Sequence, residues 1–484
     1  MLNAMNFSAI SIEIAIAVLM AVVLVLDLVL KKDAPRCPVV WLTAAGLLGV
    51  LALAVGMYPP DGGATAFYAG LCIVDGYSVF FKILFIIGIL STVIFAADYV
   101  EQTLRHKGEF YLLLLSALLG MCVLASANDL MTAFVGLELM TISFYALVAL
   151  RTDAPLSAEA GIKYLVFGSG STAVLLYGMS LVYGMTGTMV FQNIAQGLGL
   201  VFSLGLIGVV FIFAGFFFKL SIIPFHLWAP DVYEGAPAPV TALLAMCSKA
   251  AGIAILLRVL FVAFPFLAAY WAHLLAVLAG ISMVGGNLMA FRQTNIKRML
   301  AYSSIAQAGY MMTAMVATNA AGIKAVLFYA MVYVFANVGA FVTVSYLEMK
   351  RGGADFESVR GLAKDSLLPA GILMVALLTM AGIPPTAGFV GKIYIFSAAI
   401  DAGYLWLAGV GFVMSMMSVY YYLLVIKEMF RDVEEGEKWT EEHLHLPLPA
   451  SAIGVIAVAF TLIIGVWAEP LSIFTNIAVY TFMR

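Results

Sequence analysis

Charge is the scarcest thing in this chain. Of its 484 residues 11% are Asp, Glu, Lys or Arg, against 64% apolar, whereas a soluble globular protein carries about a quarter charged residues. That deficit excludes a set of soluble domains. Cysteine is nearly missing as well: Cys37, Cys72, Cys122 and Cys247 are scattered without a CxxC pair, which argues against an iron–sulfur cluster or a disulfide framework. Of the five histidines, His106, His443 and His445 lie in polar loops, and His226 and His273 lie near segment ends. Haem needs axial ligands well placed within a bundle, so a cytochrome is not expected. The chain is expected to carry no redox centre of its own. Short strands of alternating polarity are lacking too, which excludes a β-barrel.

What the chain has instead is length without polarity. Hydrophobic runs recur fourteen times, from about 8–30 to about 450–475, each of ~20 residues or more and so able to cross a bilayer as a helix. The expected class is an all-α polytopic membrane protein of about fourteen transmembrane helices, surrounded by lipid, with no nucleic-acid partner. The first run is not expected to be a cleaved signal peptide, because Glu13 lies inside it and Lys31-Lys32 follows in place of small residues. Sixteen Lys and Arg fall in loops after odd-numbered runs, among them Lys31, Lys32, Arg105, Arg298, Lys427 and Lys438. Only Arg258, Lys324 and Arg484 fall in the other loops and at the termini. By the positive-inside rule the odd loops are cytoplasmic and both termini lie outside.

Five lysines remain within spans: Lys82, Lys163, Lys219, Lys249 and Lys392. Lys163 is only ~6 Å inside its segment, can snorkel to the surface, and has Glu159 one turn earlier as a partner. Lys82, two turns past Asp75, is expected within reach of an interface. Lys249 is different. It lies ~15 Å from either face, and Glu138 is similarly central in its own segment. A charge at mid-bilayer costs ~3 kcal/mol or more, so both must face protein or water.

Lys219 and Lys392 each accompany a helix break. Pro224 has no N–H, so the carbonyl of Leu220, next to Lys219, is expected to lose its helical partner. The run at 367–400 would be ~50 Å long as one helix, and Pro384-Pro385 within GIPPTAGFVGK splits it. Non-helical backbone at membrane depth is tolerated only where it is buried or lines a wet cavity. The breaks suggest an organisation of three N-terminal helices (1–108), two five-helix blocks (109–262 and 266–431) and a C-terminal part (432–484). The broken helices, 201–228 and 367–400, are each fourth in their block. An odd number of helices per block makes any such repeat inverted, a plan common in transporters. Polar stripes accompany the charges: Glu138, Thr141 and Tyr145; Ser303, Gln307 and Tyr310; Tyr329, Tyr333 and Asn337. Singly each reads as interhelical hydrogen bonding; together they could carry water between the charged sites.

The stretches GLELMTISFYALVAL, EAGIKYLVFGSGSTAVLLYG, FKLSIIPFHLWAPDVYEGAPAPVTALLAMCSKAAG, RQTNIKRMLAYSSIAQAGYM and MAGIPPTAGFVGKIYIF resemble the antiporter-like membrane subunits of respiratory complex I. DVYEGAP and NIKRMLAYSSIAQAGY resemble the N-type subunits of the bacterial NADH:quinone oxidoreductase in particular. The resemblance implies a proton-transfer role for Glu138, Lys219, Lys249 and Lys392, in a subunit without cofactor. NADH, FMN, iron–sulfur clusters and quinone would belong to other chains of the complex. The implied partners are the other membrane-arm subunits, and the implied location is the bacterial cytoplasmic membrane. Lys163, Glu159, Tyr145, Ser303, Gln307, Tyr329 and Tyr333 are candidates for the path between the charges. A subunit of a multisubunit sodium/proton antiporter and a purely structural membrane scaffold are the competing readings.

Overall fold

In a computed structural model of the chain, residues 7–31, 34–59, 63–198, 203–432 and 445–482 are described. Lys32, Lys438, His443, Arg484 and the first residues of the run at 201–228 lie outside the described residues. Among the described residues the architecture is helical, with one small antiparallel hairpin, Thr65–Phe67 with Cys72–Val74. The helices that carry the argument are α1 (Ser11–Val29), α2 (Cys37–Gly56), α3 (Gly76–Phe95), α4 (Lys107–Ser126), α5 (Leu130–Val148), α6 (Pro155–Thr186) and α7 (Ser203–Leu220). They continue with α8 (Ala238–Ala263), α9 (Ala268–Ala290), α10 (Ile296–Met315), α11 (Ala320–Arg351), α12 (Leu367–Ala381), α13 (Ala387–Asp401), α14 (Leu405–Phe430) and α15 (Leu448–Val466). Among the described residues eleven helices are long and apolar enough to cross a membrane, and Gly205–Leu220 and Leu367–Ala381 are shorter apolar helices. The helix α10 is as long but more polar, with Lys297, Arg298, Ser303, Ser304 and Gln307 along it.

Local chemistry sets the helix ends. Asp75 caps α3 in a capping box with Ser78, and Asp129 caps α5 by accepting from the backbone of Met131 and Thr132. Asn295 and Asn319 do the same for α10 and α11. Helices α3, α8 and α11 form the interior, with nearly all their residues buried, whereas α1, α6, α14 and α15 expose much of their apolar surface. Backbones approach closely where side chains are absent. A Cβ on Gly120 of α4 would sit 2.5 Å from the Met140 amide nitrogen of α5, and one on Gly136 would sit 2.7 Å from that of Leu124. Small residues at helix contacts are the usual device in membranes.

Both expected breaks are present. The helix α7 stops at Leu220, Ser221 takes a left-handed φ of 57°, and the chain passes a cis Ile223–Pro224 bond into a short helix, Trp228–Gly235. The helix α12 stops at Ala381, Gly382 takes φ 81°, and a cis Pro384–Pro385 bond leads into α13. Several lysine and arginine placements need correction: Arg298, Lys324 and Lys427 lie near the ends of α10, α11 and α14 and not in loops. Arg258 is not in a loop: it lies inside α8, fully buried, with its guanidinium donating twice to Asp75 at 2.9 and 3.1 Å. Lys82 does not reach an interface; it is fully buried and pairs with Glu13 of α1 at 2.6 Å.

Candidate functional site

The break in α7 builds the first half of the site. Pro224 deprives the Leu220 carbonyl of its helical donor, and Lys249 of α8 supplies another. Its Nζ donates to the Leu220 carbonyl at 3.1 Å and to the Ser304 carbonyl of α10 at 2.9 Å. Lys219 turns the other way, donating to Thr141 Oγ1 of α5 at 2.7 Å and to Tyr164 OH of α6 at 3.1 Å. Glu138, one turn before Thr141, is half-buried, and its carboxylate accepts from Thr172 Oγ1 at 2.8 Å. Among the described residues no ion pair within 4.0 Å joins Glu138 to Lys219. Thr141, Tyr145, Thr172 and Lys219 line one narrow gap between α5, α6 and α7.

The break between α12 and α13 builds the second half by the same chemistry. Pro384 and Pro385 free the carbonyls of Met380 and Ala381. Lys392 reaches back from α13 and donates to them at 3.0 and 2.8 Å, with Ser415 Oγ of α14 as a third acceptor at 2.8 Å. Its ammonium also lies 4.9 Å from the centre of the Tyr310 ring, within cation–π reach.

The helix α10 joins the halves. Ser304 receives Lys249, and its neighbour Ser303 is hydrogen-bonded to Tyr422 OH of α14. One turn on, Gln307 donates to the Met380 carbonyl at 3.0 Å and to Tyr422 OH at 3.5 Å, and accepts from Tyr329 OH at 2.5 Å. Lys392 shares that Met380 carbonyl. Polar groups thus stand between Lys249 and Lys392 in two hydrogen-bonded clusters, joined at Ser303–Ser304 by chain neighbourhood and at Lys392 by the shared Met380 carbonyl. Tyr333, one turn beyond Tyr329 on α11, is buried, and its carbonyl accepts from Asn337 at 2.7 Å. Tyr145 packs edge-on against Tyr164, with ring centres 4.8 Å apart, and its hydroxyl is buried without a partner among the described residues. Ser221 Oγ is in the same condition.

Charge pairing separates the cations into two sets. Lys82 and Arg258 hold carboxylates directly, as structural ion pairs do. Among the described residues Lys219, Lys249 and Lys392 have no carboxylate within 4.0 Å and donate only to neutral oxygens. Lys163 belongs with the first set: beside the expected Glu159 at 2.7 Å it meets Asp231 at 2.6 Å. Arg298 joins Asp231 and Glu234, each at 2.7 Å, around a polar cleft of about 170 Å³ that Glu159 also lines. Burial pushes the Asp231 carboxyl up, but hydrogen bonds from Lys163 and Arg298 prevail and hold it below the usual carboxylate range.

Residues 127–418 match the family described as NADH:quinone oxidoreductase/Mrp antiporter, TM. The chain belongs to this family. It is 46% identical to NADH-quinone oxidoreductase subunit N of Heliobacterium modesticaldum, covering 98% of this chain and 99% of that one. NAD(P)H-quinone oxidoreductase subunit 2 of Trichodesmium erythraeum is 38% identical over 98% of this chain and 92% of its own. A chain in the structure of respiratory complex I from Thermus thermophilus with bound aureothin superposes with a TM-score of 0.81 at 35% identity, covering 95% of this chain and 98% of that one. A chain of the Mrp complex from Dietzia superposes with a TM-score of 0.88 at 21% identity, covering 99% and 98%; that likeness concerns the fold alone. The family region runs from α5 into α14, so it contains Glu138, Lys219, Lys249 and Lys392 and leaves α1–α4 and α15 outside.

Several site residues escaped the sequence reading. Tyr164, Thr172, Ser304, Ser415 and Tyr422 meet the lysines or their partners only across helices, and nothing in their local spacing marks them. Asp231 and Glu234 stand within DVYEGAP, but no local spacing shows that they pair with Lys163 and Arg298. Among the described residues no group of three His, Cys, Asp or Glu side chains is arranged to hold a metal.

Proposed function

We propose that this chain is a proton-translocating membrane subunit of an NADH:quinone oxidoreductase. In this reading protons pass along Glu138, Lys219, Lys249 and Lys392, driven by redox chemistry in other subunits. One observation carries it: three buried ammonium groups, two of them seated on carbonyls freed by helix breaks, have no carboxylate within 4.0 Å among the described residues. Ionisable groups in the membrane interior pair with one another or with backbone carbonyls and mark ion pathways. An amine hydrogen-bonded to neutral oxygens can exchange its proton, because lysine changes protonation readily when buried. The Ser221 and Tyr145 hydroxyls, buried without a partner among the described residues, support hydration of the interior, since buried polar groups lacking a protein partner take water. Lysine also favours protons over sodium, as an ammonium offers no lone pair to a metal cation.

The relatives named as oxidoreductase subunits support membership of that complex, with NADH, FMN, iron–sulfur clusters and quinone held by other chains and the other membrane-arm subunits as partners. The membrane is the bacterial cytoplasmic one, with both termini outside and protons moving outward. Fourteen crossings follow if α7 with its break is one, α12 with α13 another, and α10 a third beside the eleven longer spans. The helices α4–α8 and α9–α14 then form two inverted blocks. In support, each block has its break in the fourth crossing, a left-handed residue at the break, and a lysine on the freed carbonyls.

The test is Lys219→Ala in the assembled complex, reconstituted in proteoliposomes. Proton pumping and much of the coupled quinone reduction are expected to be lost; a wild-type proton-to-electron ratio would remove Lys219 from the path. Co-purification with quinone-reducing subunits separates this reading from that of a sodium/proton antiporter subunit.

A further inference from the structure

The three N-terminal helices contain none of the relay residues, yet α3 is one of the most buried helices in the chain and lies against the helix that carries Lys249. The two run antiparallel and touch along their length. Near one end the Asp75 carboxylate accepts both Arg258 bonds, and Tyr77 OH donates to the Ala254 carbonyl at 2.8 Å. Toward the other end Gly88 faces Cys247 so closely that a Cβ there would lie 2.3 Å from its Sγ.

The place of that contact matters because α8 is not regular there. Leu244–Ser248 form a π-helical turn, and Lys249 is the next residue. One extra residue in a turn rotates everything after it by roughly 100° relative to an uninterrupted α-helix. The π turn therefore decides which way Lys249 faces. It also widens the helix, and the neighbouring helix must leave room for the bulge. Gly88 is room for what the turn carries: a Cβ there would strike Cys247 Sγ at 2.3 Å, with the Met246 side chain next at 3.8 Å, so Cys247 would have to rotate or the π turn move with it in an interior packed without slack.

We propose that α3 is the backing strut of the relay, and that Gly88 is a positioning residue. By accommodating the π turn it holds Lys249 Nζ against the Leu220 and Ser304 carbonyls. This rests on Lys249 taking part in proton transfer, as proposed above, and it assigns a role to a segment outside the family region.

The experiment uses the whole complex in proteoliposomes and compares Gly88→Ala, Gly88→Ala with Cys247→Ala, Cys247→Ala as the baseline for the double variant, and Lys249→Ala. Misplacing a reacting group by about 1 Å can cost about 100-fold, so Gly88→Ala, displacing Lys249 by about half that, is expected to assemble but to lower pumping-coupled turnover about tenfold. The proton-to-electron ratio per assembled complex should fall and the pH profile of turnover should be displaced. Removing the sulfur that the new methyl strikes should restore both to the Cys247→Ala baseline. A packing role alone would change the yield of complex and leave the ratio intact. Should Gly88→Ala fail to assemble, Cys247→Val crowds the same contact more gently and is expected to lower the ratio partway. A normal ratio in Gly88→Ala, or in Cys247→Val, beside a defective Lys249→Ala overturns the strut and spares the relay. A normal ratio in Lys249→Ala overturns the relay itself.

Discussion

Substituting Lys249 distinguishes a proton carrier from a fixed charge. In Lys249→Met the Leu220 carbonyl loses its donor, an unpaired buried group costing about 1–3 kcal/mol. The Ser304 carbonyl lies inside α10 and keeps its helical bond. Against that cost, methionine removes an ammonium whose mid-bilayer position is worth about 3 kcal/mol of penalty. The two terms offset to within roughly 2 kcal/mol, so the variant complex is expected to assemble and melt near the wild type. Proton movement should not survive, since losing a positioned proton-transfer group costs about 10²–10⁴-fold in that transfer. Lys249→Arg sharpens the test. A guanidinium can still donate to the Leu220 carbonyl but does not release its proton, so it should be as defective as methionine. The assay is the proton-to-electron ratio in sealed proteoliposomes, read with a pH dye during NADH oxidation. A wild-type ratio in Lys249→Arg would show that a permanent positive charge suffices, and proton exchange at this residue would be refuted.

Other variants separate structural from functional charges. Lys163→Arg should leave pumping unchanged, because arginine can meet Glu159 and Asp231 as lysine does at 2.7 and 2.6 Å; a large defect would move Lys163 into the relay. Asp75→Ala strands the buried Arg258 guanidinium and should destabilise the assembled chain by about 3–5 kcal/mol. Pairing it with Arg258→Leu should recover most of that loss in a thermal aggregation assay, and no recovery would mean the pair is not what Asp75 supplies. Gln307→Leu removes the hydrogen bonds to Tyr329, Tyr422 and Met380 together and should slow proton transfer between Lys249 and Lys392 while leaving assembly intact. Normal pumping there would place the connection elsewhere.

What could be read from the sequence was local, and what could not was rotational. Pro224 fixes the fate of the Leu220 carbonyl four residues away by covalent structure alone, and Pro384-Pro385 does the same for Met380 and Ala381. The breaks and their orphaned oxygens are therefore legible without any fold. Which group would meet those oxygens is not, because the answers differ: Lys249 arrives from the next long helix, Lys392 from the second half of the same broken one. In a soluble protein the apolar stripe of a helix would give its rotation. Helices apolar on every side give none, and the long separations, 183 residues for Arg258 to Asp75 and 68 for Lys163 to Asp231, leave no spacing to read. The π turn before Lys249 compounds this. A regular helix drawn through LAMCSK would send the Lys249 side chain off in another direction, so counting residues by 3.6 fails at the residue where direction matters most. Depth along the segment agreed with the burial of Lys249. It failed at Arg258 and Lys82, where the membrane interior holds charges that paired carboxylates make structural, and only the identity of the partner atom tells the two kinds apart.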